Sequence, residues 1–151
     1  VVVVGNGMVG HRFCEELLDR CGGDTCAGRF RVVCLGEEGR PAYDRVHLSE
    51  VFSGRAAADL ELAPAAWYAE HGIDLHLGEA AVEIDRAAAR VRSARGRWFD
   101  YDALVLATGS APFVPPLPGI ELAGVFVYRT LEDLDAIRAW GAGARRAAVI
   151  G

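Results

Sequence analysis

The sequence has 151 residues, of which 52% are hydrophobic and 25% are charged, and its net charge is −5. This length suits one ordinary domain with enough apolar residues for a core. The acidic balance argues against a nucleic-acid partner, whose binding surface would be basic. No run of about 18 apolar residues occurs, so no membrane span is predicted.

The first 35 residues predict a strand, a glycine-rich turn, a helix and a second strand. Val1–Val4 is a continuous apolar run, which is typical of a buried parallel strand. Apolar residues then recur at helical spacing from Met8 to Leu18, and Gly22-Gly23 ends that helix. Val32–Leu35 is a second apolar run. This order predicts a βαβ unit with parallel strands.

The middle of the chain predicts shorter elements. Residues 39–54 are interpreted as a loop with one helical turn, residues 64–70 as a short helix and residues 73–77 as a strand. Three short segments joined by tight turns predict an antiparallel meander: 81–84, 90–93 and 98–101. Leu104–Ala107 predicts another buried strand.

The last third of the sequence predicts a connection and one helix. Residues 112–118 are proline-rich and extended. Thr130 caps a helix through Trp140, with Asp133 at the capping-box position, and residues 141–146 form a candidate linker. Residues 147–151 resemble the start of a strand. Because the first residue is Val and the last residues begin an element, we expect the sequence to be part of a longer chain.

The turn after the first strand carries glycines at positions 5, 7 and 10, spaced G-x-G-x-x-G. Gly5 permits a tight turn, Gly7 lets the backbone approach a pyrophosphate, and Gly10 lets the helix pack closely on the strand. The helix N-terminus offers free N–H groups and a partial positive charge to phosphates. The context of strand, turn and helix therefore predicts a dinucleotide site.

An acidic residue after the second strand is the other feature such a site needs, because it binds a ribose 2′-hydroxyl. Glu37 and Glu38 stand there, and Glu37 is 27 residues beyond Gly10. The loop at residues 21–30 accounts for a spacing longer than usual. We favour Glu37 over Glu38 as the ribose ligand, and the alternative is a solvated acidic turn.

The four cysteines, at positions 14, 21, 26 and 34, do not have the spacing of a zinc site or of iron–sulfur cluster ligands. Cys14 is interpreted as a packing residue on the first helix. Cys21 and Cys26 could form a redox pair, but we favour ordinary thiols. Unpaired thiols fit a reducing compartment, so a cytoplasmic location is expected.

The strand that ends in Ala107-Thr108-Gly109 continues as Ser110-Ala111-Pro112, which is an A-T-G-x-x-P pattern. At this point the sequence resembles the pyridine-nucleotide-disulfide oxidoreductase superfamily of two-dinucleotide flavoproteins. The resemblance implies an α/β fold: a Rossmann-like FAD-binding domain with a parallel sheet and an antiparallel β-meander insertion. Residues 1–144 would be its first segment, and residues 145–151 would begin an NAD(P)-binding Rossmann domain.

The resemblance also assigns residues to FAD and leaves the NAD(P)H site beyond these residues. No catalytic residue and no metal ligand is assigned. The expected FAD-binding residues, from the pyrophosphate and ribose through the adenine to the flavin, are Gly5, Gly7, Met8, Val9, Gly10, Glu37, Glu38, Val82, Arg45, Ser49, Ala107, Thr108 and Gly109.

Three segments are most similar to the large subunits of assimilatory NAD(P)H-dependent nitrite reductases: residues 5–13, 37–49 and 126–134. Gly39 departs from that group, where proline is common. The resemblance to this group implies that FAD accepts hydride from NAD(P)H. It also implies that the electrons pass to an iron–sulfur cluster and siroheme elsewhere in the full-length protein, where nitrite becomes ammonium. A small nitrite reductase subunit is a possible partner.

Two other functions stay open at this stage. One is an FAD-dependent reductase of a rubredoxin or ferredoxin-type carrier, which shares part of the 37–49 pattern. The other is a dinucleotide-binding sensor without turnover. Among the remaining residues, His11 is expected at the solvent edge, and His71 and His76 at the surface. His47 lies in the loop expected near the flavin, and the three tryptophans are expected to pack in the fold.

Overall fold

A computed structural model describes residues 1–22 and 29–150 of the chain. The chain forms two compact units, Val1–Asp44 with Ala58–Gly109 and Arg45–Ala57 with Ser110–Gly151. Four sequence predictions involve positions outside the described residues: the second glycine of the helix stop, Cys26 in the cysteine pair, the loop at residues 21–30, and the last residue of the C-terminal strand.

The regular elements follow the predicted order closely. In chain order they are β1 (Val2–Val4), α1 (Met8–Cys21), β2 (Val32–Leu35), α2 (Ala65–Glu70), β3 (Ile73–His76), β4 (Ala81–Asp85), β5 (Arg90–Ser93), β6 (Trp98–Asp100), β7 (Leu104–Leu106) and α3 (Leu131–Gly141). Two 3-10 helices, Leu48–Ser53 and Ala57–Leu60, precede α2.

The first unit contains both sheets. The parallel sheet has the order β3-β2-β1-β7, and the antiparallel sheet has the order β4-β5-β6. Val3 in the central strand pairs with Cys34 on one side and Val105 on the other. The α/β class, the parallel βαβ unit and the antiparallel meander are therefore confirmed.

The parallel sheet has an apolar core on each face because its strands alternate side chains between the two faces. The core beside the helices contains Val3, Cys14, Leu18, Val32, Cys34, Ala63, Tyr68 and Ile73. The core on the opposite face contains Val2, Val4, Val33 and Leu35 from the sheet and Val91 from the meander. The meander thus covers the face that the helices leave open.

Helix α1 ends as the sequence predicts. Gly22 adopts a left-handed conformation with φ of 75°, and its N–H donates to the carbonyl of Asp19 at 3.2 Å. Glycine adopts this conformation without the steric penalty that other residues meet, so it stops the helix at little energetic cost.

The prediction that the strand at Leu104–Ala107 is buried was wrong. β7 is an edge strand, and Leu106 is 61% exposed. Within the described residues β7 pairs with β1 alone, so its outer edge and part of one face remain uncovered. The loop at residues 39–54 also holds more structure than one helical turn, since the first 3-10 helix spans six residues.

The second unit contains the first 3-10 helix and α3. The capping box is confirmed: Thr130 Oγ1 accepts a hydrogen bond from the Asp133 N–H at 3.1 Å, and Asp133 Oδ2 accepts one from the Thr130 N–H at 2.9 Å. The described residues of the C-terminal run, 147–150, contain no strand. In the part of the chain that the structure describes, no helix is long and apolar enough to cross a bilayer.

Candidate functional site

The glycine turn lies where the parallel strands end, beside the point at which the strand order reverses. From β1 the chain proceeds outward through β2 and β3, whereas β7 pairs on the other side of β1. Open parallel sheets bind ligands in the crevice at such a reversal. The Gly5 N–H donates to the Leu35 carbonyl at 2.8 Å, and the Ala107 N–H donates to the Val4 carbonyl at 2.7 Å, so the three strand ends are held together.

Two of the three motif glycines are required by packing within the chain. Gly5 has a φ of 108°, and a Cβ there would overlap the carbonyl oxygen of Ala107. A Cβ on Gly10 would overlap the carbonyl oxygen of Gly5 and would lie 3.7 Å from the Cβ of Ala107. These contacts are the close approach of helix and strand that the sequence predicts, and they leave no room for a side chain.

Gly7 differs from the other two because the space around it is open. A Cβ at Gly7 would meet no atom within 4 Å. The first helical hydrogen bond runs from the His11 N–H to the Gly7 carbonyl at 2.9 Å. The N–H groups of Met8, Val9 and Gly10 precede that bond and have no acceptor inside the helix. An anion in the open space would therefore meet unpaired donors and the positive end of the helix dipole.

The two candidate acids after β2 have different environments. The Glu38 carboxylate accepts a hydrogen bond from the Tyr43 hydroxyl at 2.7 Å, and its backbone carbonyl accepts one from the Gly78 N–H at 2.9 Å. Glu37 is exposed, and its carboxylate has no hydrogen-bond or ion-pair partner among the described residues. The geometry leaves Glu37 available to a ribose and engages Glu38 in the fold.

The remaining predicted ligands are distributed over both units. Thr108 and Gly109 are exposed and directly follow Ala107 at the strand ends. Val82 is 53% exposed on β4 in the antiparallel sheet of the same unit. Arg45 and Ser49 belong to the second unit, where Arg45 Nη1 donates to the carbonyl of Arg129 at 3.2 Å and Ser49 is exposed in the 3-10 helix. The glycine turn, Glu37 and the 107–109 segment are thus the predicted residues that the first unit brings to one sheet edge.

Sequence reasoning missed a buried polar cluster beneath the glycine turn. The Tyr68 hydroxyl lies 3.0 Å from Asn6 Oδ1 and 2.9 Å from His11 Nδ1. Cys34 Sγ lies 3.7 Å from the same Asn6 oxygen. The cluster therefore connects the residue between the first two motif glycines to α1, α2 and β2.

The prediction that His11 lies at the solvent edge was wrong, since it is only 4% exposed. Its ring packs edge-on against Trp67 at a centroid distance of 5.0 Å. Burial lowers the pKa of His11 below its ordinary value of 6.5. The spacing of His11, Cys14 and Leu18 on one helical face was the available signal, because that face is buried against the sheet.

A second polar cluster holds the antiparallel sheet beside the acid loop. The Glu79 side chain is fully buried and accepts a hydrogen bond from Arg97 Nε at 2.9 Å. The hydrogen bonds from Arg97 lower the pKa of Glu79 to about 2. His76 Nδ1 lies 2.8 Å from Arg97 Nη2, and the His76 side chain is only 14% exposed, so the surface position predicted for His76 was also wrong.

The two buried cysteines of the first unit, Cys14 and Cys34, pack in the core beside the helices. Cys14 and Cys34 are free thiols, and Cys14 is buried on the sheet side of α1 as predicted. The hydrogen bond with Cys14 and burial raise the pKa of Cys34. Within residues 1–22 and 29–150, no group of three or more histidine, cysteine or acidic side chains could hold a metal ion.

This geometry defines a dinucleotide-binding α/β domain of the Rossmann type. The profile of the pyridine nucleotide-disulphide oxidoreductase family matches residues 1–151. The chain therefore belongs to the pyridine nucleotide-disulphide oxidoreductase family.

Its relatives include nitrite reductase large subunits, which confirms the resemblance seen in the sequence. The chain is 52% identical over 151 residues to the NAD(P)H nitrite reductase large subunit of Klebsiella oxytoca and 45% identical to the NADH nitrite reductase large subunit of Escherichia coli. Both matches cover all of this chain, which spans 15% and 17% of the lengths of those proteins. A ferredoxin reductase from Rhodopseudomonas palustris superposes with a TM-score of 0.80 at 26% identity, over 91% of this chain and 33% of that one.

The site residues fit the pyrophosphate and ribose of FAD, the cofactor that the family resemblance implies. The space at Gly7 admits a group with no side chain in its path, and the free N–H groups of the first helical turn supply donors for phosphate oxygens. The exposed Glu37 carboxylate supplies an acceptor for ribose hydroxyls. The N–H donors and the carboxylate acceptor together suit a diphosphate linked to a ribose that carries no phosphate.

Proposed function

We propose that this chain is the FAD-binding, electron-entry segment of an NAD(P)H-dependent nitrite reductase, which converts nitrite to ammonium in nitrate assimilation. The observation that carries FAD binding is the open space at Gly7 in front of the first-turn N–H groups of α1, which have no acceptor inside the helix. The 52% identity to a nitrite reductase large subunit over the whole chain supports the assignment to nitrite.

In this proposal the chain binds and orients the cofactor and carries out no proton transfer of its own. Gly5, Gly7 and Gly10, with the backbone of Met8 and Val9, hold the pyrophosphate. A bound FAD would supply the chemistry of taking up a hydride from NAD(P)H and releasing electrons one at a time. The exposed Glu37 holds the adenosine ribose, with Glu38 in support.

The remaining contacts extend from the adenine to the flavin. Val82 contacts the adenine through its backbone. Ala107, Thr108 and Gly109 line the flavin side, and Arg45 and Ser49 lie beneath the flavin. The position of the A-T-G segment supports the assignment of Ala107, Thr108 and Gly109, because the Ala107 N–H donates to the Val4 carbonyl beside the glycine turn.

We further propose how the rest of the protein is arranged. Residues 1–144 are the first segment of the FAD-binding domain, and residues 145–151 begin the NAD(P)-binding domain, a division that the apolar run at 147–150 supports. The NAD(P)H site, the iron–sulfur cluster and the siroheme lie in other parts of the protein. A small subunit is the protein partner, nitrite and NAD(P)H are the substrates, and the free thiols suit the cytoplasm.

A second candidate function is an FAD-dependent NAD(P)H reductase of a rubredoxin or ferredoxin-type carrier. The superposition on the Rhodopseudomonas palustris ferredoxin reductase favours it, because that structure shares the fold over 91% of this chain. Both functions use the same FAD site, so they differ in the electron acceptor and not in the residues described above.

The visible absorption spectrum of the intact protein, purified from its native host, tests these proposals. Flavin bands together with siroheme bands are the expected result. Flavin bands alone would reject nitrite reduction in favour of the carrier reductase. A protein without flavin, which also failed to take up added FAD, would overturn the FAD site itself.

A further inference from the structure

The buried cluster beneath the glycine turn is centred on the Tyr68 hydroxyl, which lies between Asn6 and His11. Asn6 Oδ1 can only accept, so the one hydroxyl hydrogen of Tyr68 is donated to it across 3.0 Å. The Tyr68 oxygen is then left to accept from His11 Nδ1, 2.9 Å away, in the tautomer that carries the ring proton on Nδ1. The chain of donors therefore runs from His11 to Tyr68 to Asn6.

Each member of this chain belongs to a different part of the fold. His11 lies in the second turn of α1, directly after Gly10, and Tyr68 lies in α2 and is fully buried. Asn6 is the only residue between Gly5 and Gly7, and its Nδ2 is buried from solvent. The Asn6 side chain thus extends beneath the turn toward the core, while the open space at Gly7 lies on the ligand side.

We propose that Tyr68 and His11 are positioning residues for the cofactor: the Tyr68 hydroxyl, itself paired with His11, donates to Asn6 and holds the glycine turn in the conformation that binds the FAD pyrophosphate. This inference rests on the proposed FAD-binding function and adds two residues that touch no part of the ligand. Two of the three residues from Gly5 to Gly7 are glycines with wide backbone freedom, so Asn6 carries the only side chain in this part of the turn.

The effect on affinity follows from the population of the binding-competent turn. The apparent dissociation constant equals the intrinsic one divided by the fraction of molecules in the competent conformation. Removing the Tyr68 hydroxyl leaves Asn6 Oδ1 and His11 Nδ1 buried without their shared partner, which favours conformations that move Asn6 toward water. A fall of the competent fraction to about one tenth raises the dissociation constant about tenfold.

The test compares Tyr68→Phe with Tyr101→Phe in the intact protein. Tyr101 is half-buried against the opposite face of the parallel sheet, so the second variant makes the same chemical change away from the turn. The dissociation constant for FAD is measured by reconstitution of the apoprotein, the unfolding of the apoprotein is measured separately, and hydrogen exchange is followed at the amides of residues 5–10.

The expected result is a tenfold weaker FAD complex and faster exchange at residues 5–10 in Tyr68→Phe, with Tyr101→Phe unchanged in both. If Tyr68→Phe lowered the stability of the apoprotein but bound FAD as tightly as the wild type, the positioning role would be rejected. If the wild-type protein bound no FAD at all, the proposed function would fail and the present inference would fail with it, an outcome that is distinct from the previous one.

A second pair of variants keeps the test decisive if Tyr68→Phe does not fold. His11→Asn places an amide donor near the position of Nδ1, whereas His11→Leu retains apolar volume without a donor. Tighter FAD binding by His11→Asn than by His11→Leu is expected. Equal FAD affinity of the two folded variants would contradict a hydrogen-bond role for His11.

Discussion

The carboxylate of Glu79 is fully buried, yet its partner Arg97 reaches it from the surface, with Nε 2.9 Å from Oε1 and a side chain that is 48% exposed. The pair joins the turn after β3 to the turn before β6. The Glu79 N–H also donates to the Gly36 carbonyl at 2.8 Å, so the same residue attaches the antiparallel sheet to the segment that precedes the acid loop. This ion pair therefore supports the position of the segment that leads into the acid loop.

Replacing Glu79 with Gln should lower the free energy of unfolding by about 2–3 kcal/mol, because the buried hydrogen bonds to a charged group are weakened. Glu83→Gln is the matched control, since the Glu83 carboxylate pairs with Arg92 Nε at 2.8 Å on the exposed surface. That exposed pair should contribute at most about 1 kcal/mol. Urea unfolding at neutral pH measures both variants, and equal effects would contradict a special role for the buried pair.

The ion pair of Glu79 and Arg97 makes the free energy of unfolding depend on pH in the acid range. Because the pKa of Glu79 is lowered to about 2 from an ordinary value of 4.5, its stabilising effect is complete above about pH 4.5 and is lost as the pH falls toward 2. The acid limb of the stability profile should therefore be shallower in Glu79→Gln than in the wild type.

His11 should make stability depend on pH in a higher range. Burial lowers its pKa, so the unfolded chain binds the proton more readily than the folded chain, and stability falls as the pH drops below 6.5. The charged groups near the ring are Glu15, whose Oε1 lies 3.6 Å from Nε2 and opposes this shift, and Arg12, which adds to it. The remaining neighbours are Tyr68 and Trp67 from α2.

The variant His11→Asn, which cannot titrate, should lose that dependence. One proton contributes at most about 1.4 kcal/mol per pH unit to the slope. Chemical unfolding at several pH values from 7.5 to 5 provides the measurement. An identical slope in the variant and the wild type would show that His11 is not the responsible group.

The parts of this fold that the sequence predicted well are those specified locally. The apolar run of β2 and the capping box of Thr130 and Asp133 are determined by neighbouring residues, so their bounds were predicted closely. The burial of His11 depends on Tyr68, 57 residues away, and the exposure of β7 depends on which strands pair with it. Burial that depends on such distant residues follows from the tertiary structure, and the hydrophobic periodicity of the sequence does not predict it.

The candidate site divides in the same way. The glycine motif and an acid after β2 were readable from the sequence because spacing and context define them. The sequence favoured Glu37 over Glu38 without a physical contact to separate them. The structure distinguishes them, because the Tyr43 hydroxyl donates a hydrogen bond to the Glu38 carboxylate.

Substituting the two acids separately tests this distinction. Glu37→Ala should weaken FAD binding about tenfold or more, because a hydrogen bond to a charged acceptor contributes about 1.5–3 kcal/mol. Glu38→Ala should instead lower the free energy of unfolding by about 1 kcal/mol through loss of the Tyr43 hydrogen bond, with a smaller effect on FAD. Equilibrium titration of the apoproteins with FAD gives the two affinities, and urea unfolding gives the free energy of unfolding. The reverse order of affinities would assign the ribose to Glu38.

Gly7 offers the sharpest test of where the pyrophosphate binds, because it is the motif glycine at which a side chain meets no protein atom within 4 Å. Gly7→Val should therefore fold, with about 1 kcal/mol lost at the helix N-cap, but its side chain would occupy the space in front of α1 and FAD retention should collapse. Gly143→Val is the matched control, since a Cβ there also meets nothing within 4 Å and the residue follows α3. Flavin content after purification, with the circular dichroism spectrum as a check on folding, distinguishes the variants. If Gly7→Val retained flavin at the level of the control, the open space at Gly7 would not be the pyrophosphate site, whereas the packing roles of Gly5 and Gly10 would be unaffected.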